Sequence, residues 1–259
     1  MVQINKENEI TLLQELLTND WPAREHYFLN GWIVRFTDGI TDRANSVLPN
    51  YYSGSSVLDD ISLVEKLYKE RGLRPTFQVA DHALPADLAG HLLSRGYKSH
   101  SETAVLVGQL VGWTRLQVNA SFQYADVTDN PEQWFESLTS LSQSDEKRTR
   151  EKKDIISRIP SSRKALFIAV DGEKEAAGVV LGVADRGYLC IFDLIVHPRH
   201  RRQGIARSLM TILGSWSMKK GINRVFLQVL ADNNPAIVLY KNLGMEFRYG
   251  YRYFLEPAK

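Results

Sequence analysis

The sequence predicts two α/β halves in tandem, each an α+β unit around a mixed sheet, and three observations carry that prediction. Strand-like runs and helix-like periodicity alternate along the whole chain. Its 259 residues amount to two domains at about 150 residues each. The halves also echo one another: Pro85-Ala86 opens a helix that closes at Leu92-Leu93-Ser94-Arg95-Gly96-Tyr97, and Pro235-Ala236 opens one that closes at Tyr240-Lys241-Asn242-Leu243-Gly244-Met245. Each helix precedes a strand near the end of its half, as a duplicated unit requires. The domains are expected at 1–117 and 118–259, with the boundary inside 112–119, after which polar character rises.

Taken in order, a helix is expected over about 9–18, ending before Trp21-Pro22. Tyr27 to Phe36, rich in aromatic and β-branched residues, reads as a strand or strand pair, and 38–46 as a polar loop. Leu63, Val64, Leu67 and Tyr68 form a helical face that Gly72 closes. Thr76 to Val79 is a short strand, 85–97 the first of the echoed helices, and the alternation through Thr103, Val105 and Val107 a further strand. In the second half, two helices follow Pro131, joined through Ser140 to Asp145, and strands are expected at Ala165–Val170, Ala177–Val183 and Tyr188–Val196. The last is the most apolar stretch of the chain, which fits a central strand covered on both faces. Pro198 ends it, and a basic loop leads into a helix with Leu209, Ile212, Leu213 and Trp216 on one face. That helix stops at Lys219-Lys220-Gly221, cations in the last turn and then a capping glycine. Val225–Val229 reads as a strand, Pro235–Leu243 as a helix, and Tyr249, Tyr251 and Tyr253, alternating with Gly250 and Arg252, as the final strand.

Composition narrows the function classes. With 44% apolar and 24% charged residues the chain can bury a full core, which excludes disorder as its main state. Its 32 Lys and Arg balance 30 Asp and Glu, so a dedicated nucleic-acid binder is not expected and any basic function must come from local clustering. The single cysteine, Cys190, rules out an intramolecular disulfide and a multi-thiolate metal site, and suits a reducing compartment. No apolar run reaches the roughly 18 residues of a membrane span, and Met1 to Glu7 lacks the basic-then-apolar form of a signal peptide. A soluble cytoplasmic protein without a membrane partner is expected.

Chemistry concentrates in Ile195-Val196-His197-Pro198-Arg199-His200-Arg201-Arg202-Gln203-Gly204-Ile205-Ala206-Arg207. A buried strand ends there, and an arginine-dense loop passes through Gly204 straight into a helix. Such a turn is an anion cradle: free N–H groups at the helix N-terminus point at the ligand, Gly204 and Ala206 permit close approach, and the arginines add charge. A pyrophosphate fits it better than a single carboxylate does. The alternatives are a solvated basic loop and a nucleic-acid phosphate contact, the latter weakened because basic residues do not continue along the helix.

Arg201-Arg202-Gln203-Gly204-Ile205-Ala206 resembles the Gln/Arg-x-x-Gly-x-Gly/Ala pyrophosphate motif of the GNAT acetyltransferase superfamily. Downstream, Asn233 to Met245 resembles that family's Asn-x-x-Ala-x-x-Leu-Tyr-x-x-x-Gly-Phe segment, with Met245 in place of the usual Phe. The resemblance covers about 120–259 directly, and the whole chain further resembles bacterial members that carry a degenerate GNAT-like half ahead of an active one. It implies two tandem GNAT-like (acyl-CoA N-acyltransferase) folds, with acetyl-CoA as the acyl donor of the second and direct transfer to the amine of a small molecule or peptide. It further implies pantetheine pairing near Leu194, Ile195 and Val196, a pyrophosphate on the amides of Arg202 to Arg207, and an oxyanion donor at the amide of Leu194 or Ile195. Tyr240 takes the general-acid position and Asn233 a cofactor-contacting one.

Two of these residues keep a second reading. Tyr240 shares a helical face with Ala236, Leu239 and Leu243, so it suits either an acid facing a cleft or plain packing. Asp193 is the one carboxylate of 188–196, so it is a candidate base if burial raises its pKa, or a structural carboxylate held by backbone or an arginine. Cys190 is read as core, and the six histidines form no His-x-x-x-His pair, so no metal is expected. In the first half the loop 37–47 carries only Arg43, and Leu92 stands where Tyr240 stands in the second, so that half is expected to lack both cradle and acid. Arg43 and Asn45 are candidate substrate contacts or turn stabilisers. The expected assembly is a monomer or homodimer without nucleic acid, and the rival functions are a silent acyl-CoA sensor and acyl transfer to RNA-linked or cell-wall acceptors.

Overall fold

The computed structural model describes residues 6–172 and 175–257. They form two compact units that interleave in sequence. The first comprises the residues up to Ala104, Leu230–Asp232 and those from Arg248 on; the second comprises Val105–Val229 and Asn233–Phe247. No helix among the described residues is long and apolar enough to cross a membrane.

The first unit begins with α1 (Lys6–Asp20), followed by β1 (Glu25–Leu29) and β2 (Trp32–Phe36). Asn30 and Gly31 both take positive φ, 49° and 92°, the two-residue hairpin turn that matches strand twist, so the expected strand pair over 27–36 is a hairpin. The two-residue strand β3 (Val47–Leu48) pairs antiparallel with β2 and parallel with β4 (Thr76–Ala80). The helices are α2 (Val57–Glu70) and α3 (Leu88–Ser94); the sheet is completed by β5 (Lys98–Gln109), up to Ala104, and β11 (Glu246–Leu255), from Arg248. The last strand of the chain lies antiparallel to β4, Tyr251 opposite Ala80 and Leu255 opposite Thr76. Trp32, Phe77 and Tyr97 meet edge to face at ring distances of 5.8 Å in the core.

The second unit contains the rest of β5, then β6 (Gln123–Asp126), α4 (Pro131–Ser142), α5 (Glu146–Ser157), β7 (Lys164–Val170), β8 (Ala176–Asp185), β9 (Tyr188–Val196), α6 (Ile205–Met218), β10 (Arg224–Leu230) and α7 (Asn234–Asn242). Its strand order is β5-β10-β9-β8-β7-β6, antiparallel from β6 to β9 and parallel between β9 and β10. Strand β6 was not expected, because Gln123-Tyr124-Ala125-Asp126 has no strand pattern; backbone pairing with β7 alone forms it. On β8, Gly178 and Gly182 lie four residues apart on the face that receives α6. A Cβ on Gly182 would overlap Leu213, and one on Gly178 would lie 3.2 Å from Leu209.

Each unit therefore runs strand, helix, parallel strand, helix, as β3-α2-β4-α3 and as β9-α6-β10-α7. Helices α3 and α7 end alike. Gly96 and Gly244 take φ of 85° and 77°, and Tyr97 and Met245 donate backbone bonds of 3.0 Å to the carbonyls of Leu92 and Tyr240. The correspondence corrects one expectation: the strand ahead of α2 is β3, so the counterpart of the basic loop is 49–56, not 37–47. Two residues are too few for β3 to show a strand pattern.

Gly182→Val is expected to destabilise the protein by about 2 kcal/mol, because α6 packs against the bare strand. Urea unfolding measures this, and an unchanged midpoint contradicts it.

Candidate functional site

The site starts from an irregularity in β9. Against β8, Leu181 faces Phe192 but Val179 faces Ile195, so β9 holds one residue more than its partner at that point. Asp193 supplies the turn, with φ of +46° in the left-handed region. Opposite, the carbonyl of Val180 accepts from the indole N–H of buried Trp134 on α4, at 3.2 Å. Bulges increase local twist, and the parallel register of β9 with β10 ends at Ile191 opposite Leu227. Tyr188 to Phe192 are buried and Asp193 to Val196 are half-buried. The expected cover on both faces thus holds only for the first five residues of the strand.

Strand alternation settles which backbone groups face the opened edge. His197 donates to Ala177 on the β8 side, at 2.9 Å. Two residues back, Ile195 also faces β8, whereas Leu194 and Val196 direct their N–H and C=O groups away from it. Of the three residues expected to pair with an extended ligand, Ile195 is the one committed to the sheet.

The loop after β9 is anchored first and free afterwards. His197 Nδ1 accepts from the Arg199 amide at 3.3 Å. The Arg199 guanidinium bonds Asp171 at 2.9 Å and also Glu175, while His200 Nε2 lies 3.1 Å from Asp171. Arg199 is therefore held by carboxylates, and the basic loop's available charge begins only after it. Arg201, Arg202 and Arg207 are exposed and have no acidic partner among the described residues. Arg202 and Gly204 take φ of 64° and 80°, and α6 begins at Ile205 with no side-chain cap. Ser208 makes the first intrahelical bond, to Gly204 at 2.9 Å, which leaves the amides of Ile205, Ala206 and Arg207 without helical acceptors. Asn119 steadies the turn, donating its side chain to the Gln203 carbonyl at 2.7 Å and its backbone N–H to Ser208 Oγ at 2.9 Å. Uncapped amides, left-handed residues and arginines without carboxylates among the described residues are a geometry able to hold an anion.

Because β9 and β10 are parallel, the segments that follow them leave the same edge of the sheet. Asn233 caps α7, its Oδ1 accepting from the Ala236 amide at 3.3 Å. Tyr240 is buried on α7, and its hydroxyl has no hydrogen-bond partner among the described residues. Burial pushes that hydroxyl's pKa up to about 12, so it is protonated throughout the neutral range. Asp193 pairs with Lys152 of α5, Nζ to Oδ1 at 2.6 Å, both side chains being about 85% covered. Its other oxygen, Oδ2, is buried without a donor. Lys152 was missed from sequence, because in Glu146-Lys147-Arg148-Thr149-Arg150-Glu151-Lys152-Lys153 it is one cation among several. Cys190 is fully buried in β9, and among the described residues no three His, Cys, Asp or Glu side chains group as a metal site.

The first unit has a different loop at the corresponding place. Ser56 caps α2, and Asp59 and Asp60 occupy its first turn. Asp60 accepts from the Asn30 amide at 2.9 Å and the Tyr52 hydroxyl at 2.8 Å, so the helix N-terminus already carries negative charge. A cavity of about 740 Å³ opens beside β4, lined by Asn50, Tyr51, Val79, His82 and Arg252 among others, and without an arginine cradle. Leu92, the counterpart of Tyr240, is fully buried. Asn45 accepts from the Thr37 amide at 3.1 Å, the turn-stabilising alternative for that residue.

Set against known proteins, residues 8–254 match a family described as "Probable histone acetyltransferase Rv0428c C-terminal". The chain belongs to this family. It is an acetyltransferase of the GNAT superfamily. "Uncharacterized N-acetyltransferase YobR" of Bacillus subtilis (strain 168) is similar to it at 27% identity over 239 residues, covering 92% of this chain and 94% of the relative. A GCN5-related N-acetyltransferase from Kribbella flavida shares the fold with a TM-score of 0.74 at 14% identity, over 96% of each chain. A tandem GNAT protein from the clavulanic acid biosynthesis pathway does so at 0.68 and 13% identity, over 95% of this chain and 89% of that one. Two tandem GNAT-like folds are thus the architecture of this acetyltransferase.

Ultraviolet difference titration of the protein against Tyr240→Phe is expected to show no phenolate from Tyr240 below about pH 11. The unfolded tyrosine ionises near 10 and the folded one near 12, so this residue's contribution to stability is intact below about 10 and is lost as pH rises to about 12. A Tyr240 step near pH 10 contradicts the burial.

Proposed function

We propose that the second unit transfers an acetyl group from acetyl-CoA directly to a primary amine of a small molecule or peptide. The observation that carries this reading is the opened edge of β9 leading into an uncapped helix with three arginines that have no acidic partner among the described residues. The residues suit an acyl-CoA in shape and charge. The amides of Ile205, Ala206 and Arg207, with Arg201, Arg202 and Arg207, would hold a pyrophosphate; Gln203 and Gly204 form the turn that presents them. The backbone groups of Leu194 and Val196 would pair with the pantetheine arm, as an added strand would. Asn233 serves this site by capping α7 and so holding Tyr240 in place.

Acetyl-CoA supplies the acetyl group as an activated thioester. The amide of Leu194 points into the opened edge, where it can donate to the carbonyl oxygen as charge builds on it. The neutral amine attacks, the C–N bond forms and the C–S bond breaks. Tyr240, protonated and without a hydrogen-bond partner among the described residues, gives its proton to the departing sulfur, and the proton shed by the nitrogen restores it.

Acetyl-CoA offered with a panel of polyamines, amino acids, aminoglycosides and peptides is expected to yield free thiol and an N-acetyl product. Tyr240→Phe is expected to lower kcat by about 100-fold while coenzyme A affinity stays within about twofold. Gly204→Val, strained at φ of +80°, is expected to weaken coenzyme A binding by at least about tenfold. Coenzyme A binding with no turnover on any amine would leave the sensor reading in place of the transferase one, and unchanged kcat in Tyr240→Phe removes that residue as the acid.

A further inference from the structure

We propose that Lys152 and Asp193 form a clamp that holds the bulge of β9 open and so aims the Leu194 amide at the reacting carbonyl. Both are positioning residues, and Asp193 is not the base; the inference rests on the transferase reading above. Asp193 sits in the left-handed region at φ of +46°, which L-residues other than asparagine and aspartate seldom adopt. It adopts that conformation next to the amide proposed to donate to the developing oxyanion. Its Oδ1 is taken by Lys152 at 2.6 Å and its Oδ2 is buried, so neither oxygen is presented to an incoming amine. A base needs an oxygen within reach of the proton it removes. A clamp needs only a fixed partner, and Lys152 is one: α5 is capped by Asp145, which accepts from the Arg148 amide at 2.7 Å. It is tied to α4 by the Thr139–Thr149 hydroxyl contact at 3.1 Å, one turn ahead of Lys152. On β8 the Trp134 indole donates to the carbonyl of Val180, the residue opposite the bulge, at 3.2 Å. Lys152 thus holds the irregularity from α5.

Conformational preference tests the clamp where charge alone cannot. In the full-length chain, with acetyl-CoA and the best acceptor of the amine panel, Asp193→Asn and Asp193→Gly are expected to lower kcat by no more than about tenfold, because both residues tolerate the left-handed region. Asp193→Val, barred from it, is expected to lower kcat by at least about 100-fold with coenzyme A affinity within about threefold. Retained coenzyme A binding checks that the valine variant is folded. Lys152→Met is expected to lower kcat by about tenfold in the wild-type background and to add nothing to Asp193→Gly, since glycine needs no clamp. If Asp193→Asn falls as far as Asp193→Val and loses the acid limb of the pH–rate profile, Asp193 is the base and the proposal fails. It fails equally if Asp193→Val matches Asp193→Asn, or if the Lys152→Met and Asp193→Gly losses simply add. A wild-type chain that acetylates no amine would remove the parent reading; with wild-type turnover in hand, the variants alone decide the clamp.

Discussion

One surplus residue in a central strand is the constraint on which the second unit's site depends. A β9 in perfect register with β8 would continue beside β10, and its backbone groups would be consumed by the sheet. The bulge at Asp193 instead stops the β10 register at Ile191 and leaves Leu194 and Val196 with groups turned away from β8. Strain, burial and exposure meet within five residues: a left-handed aspartate, a covered ion pair and a half-buried strand end. Cores normally avoid each of these, and together they are best understood as features retained for chemistry.

Charge placement separates the two units. At α6 the helix N-terminus is uncapped and three arginines have no carboxylate partner among the described residues, so positive potential accumulates there. At α2, the matching helix, Ser56 caps the amides and Asp59 and Asp60 cancel the dipole. The same strand–helix device is thus left uncapped in one unit and capped by its own side chains in the other. A nearly neutral net charge of +2 hides this, because the balance is struck over the whole chain and not within either loop.

Much of the architecture was legible in sequence where pattern and length were both generous. Strand 188–196 was bounded correctly, and α6 and α7 were placed to within one residue or so, since Pro198, Gly204, Gly221 and Pro235 punctuate them. The basic loop into α6 was legible because its residue types are unusual together. Short or patternless pieces were not: β3 has two residues, and β6 is Gln-Tyr-Ala-Asp. Mislocating β3 in turn misplaced the first unit's counterpart loop. Arg199 and Lys152 show the same limit for charge, one read with the cradle although Asp171 and Glu175 hold it, the other unread although it grips the bulge.

By itself, then, the sequence determined the doubled mixed α/β plan, the arginine-rich loop after the most apolar strand, and the tyrosine-bearing helix after the next one, since these are written in local period, turn residues and spacing. Tertiary structure alone decided that Asp193 turns left-handed against Lys152, and that Ile195 faces the sheet while Leu194 and Val196 do not. It also decided that the final strand, from Arg248, belongs to the first unit. The reason is physical: pairing register, ion-pair partners and strand exchange are relations between residues far apart in the chain, and no local pattern encodes them.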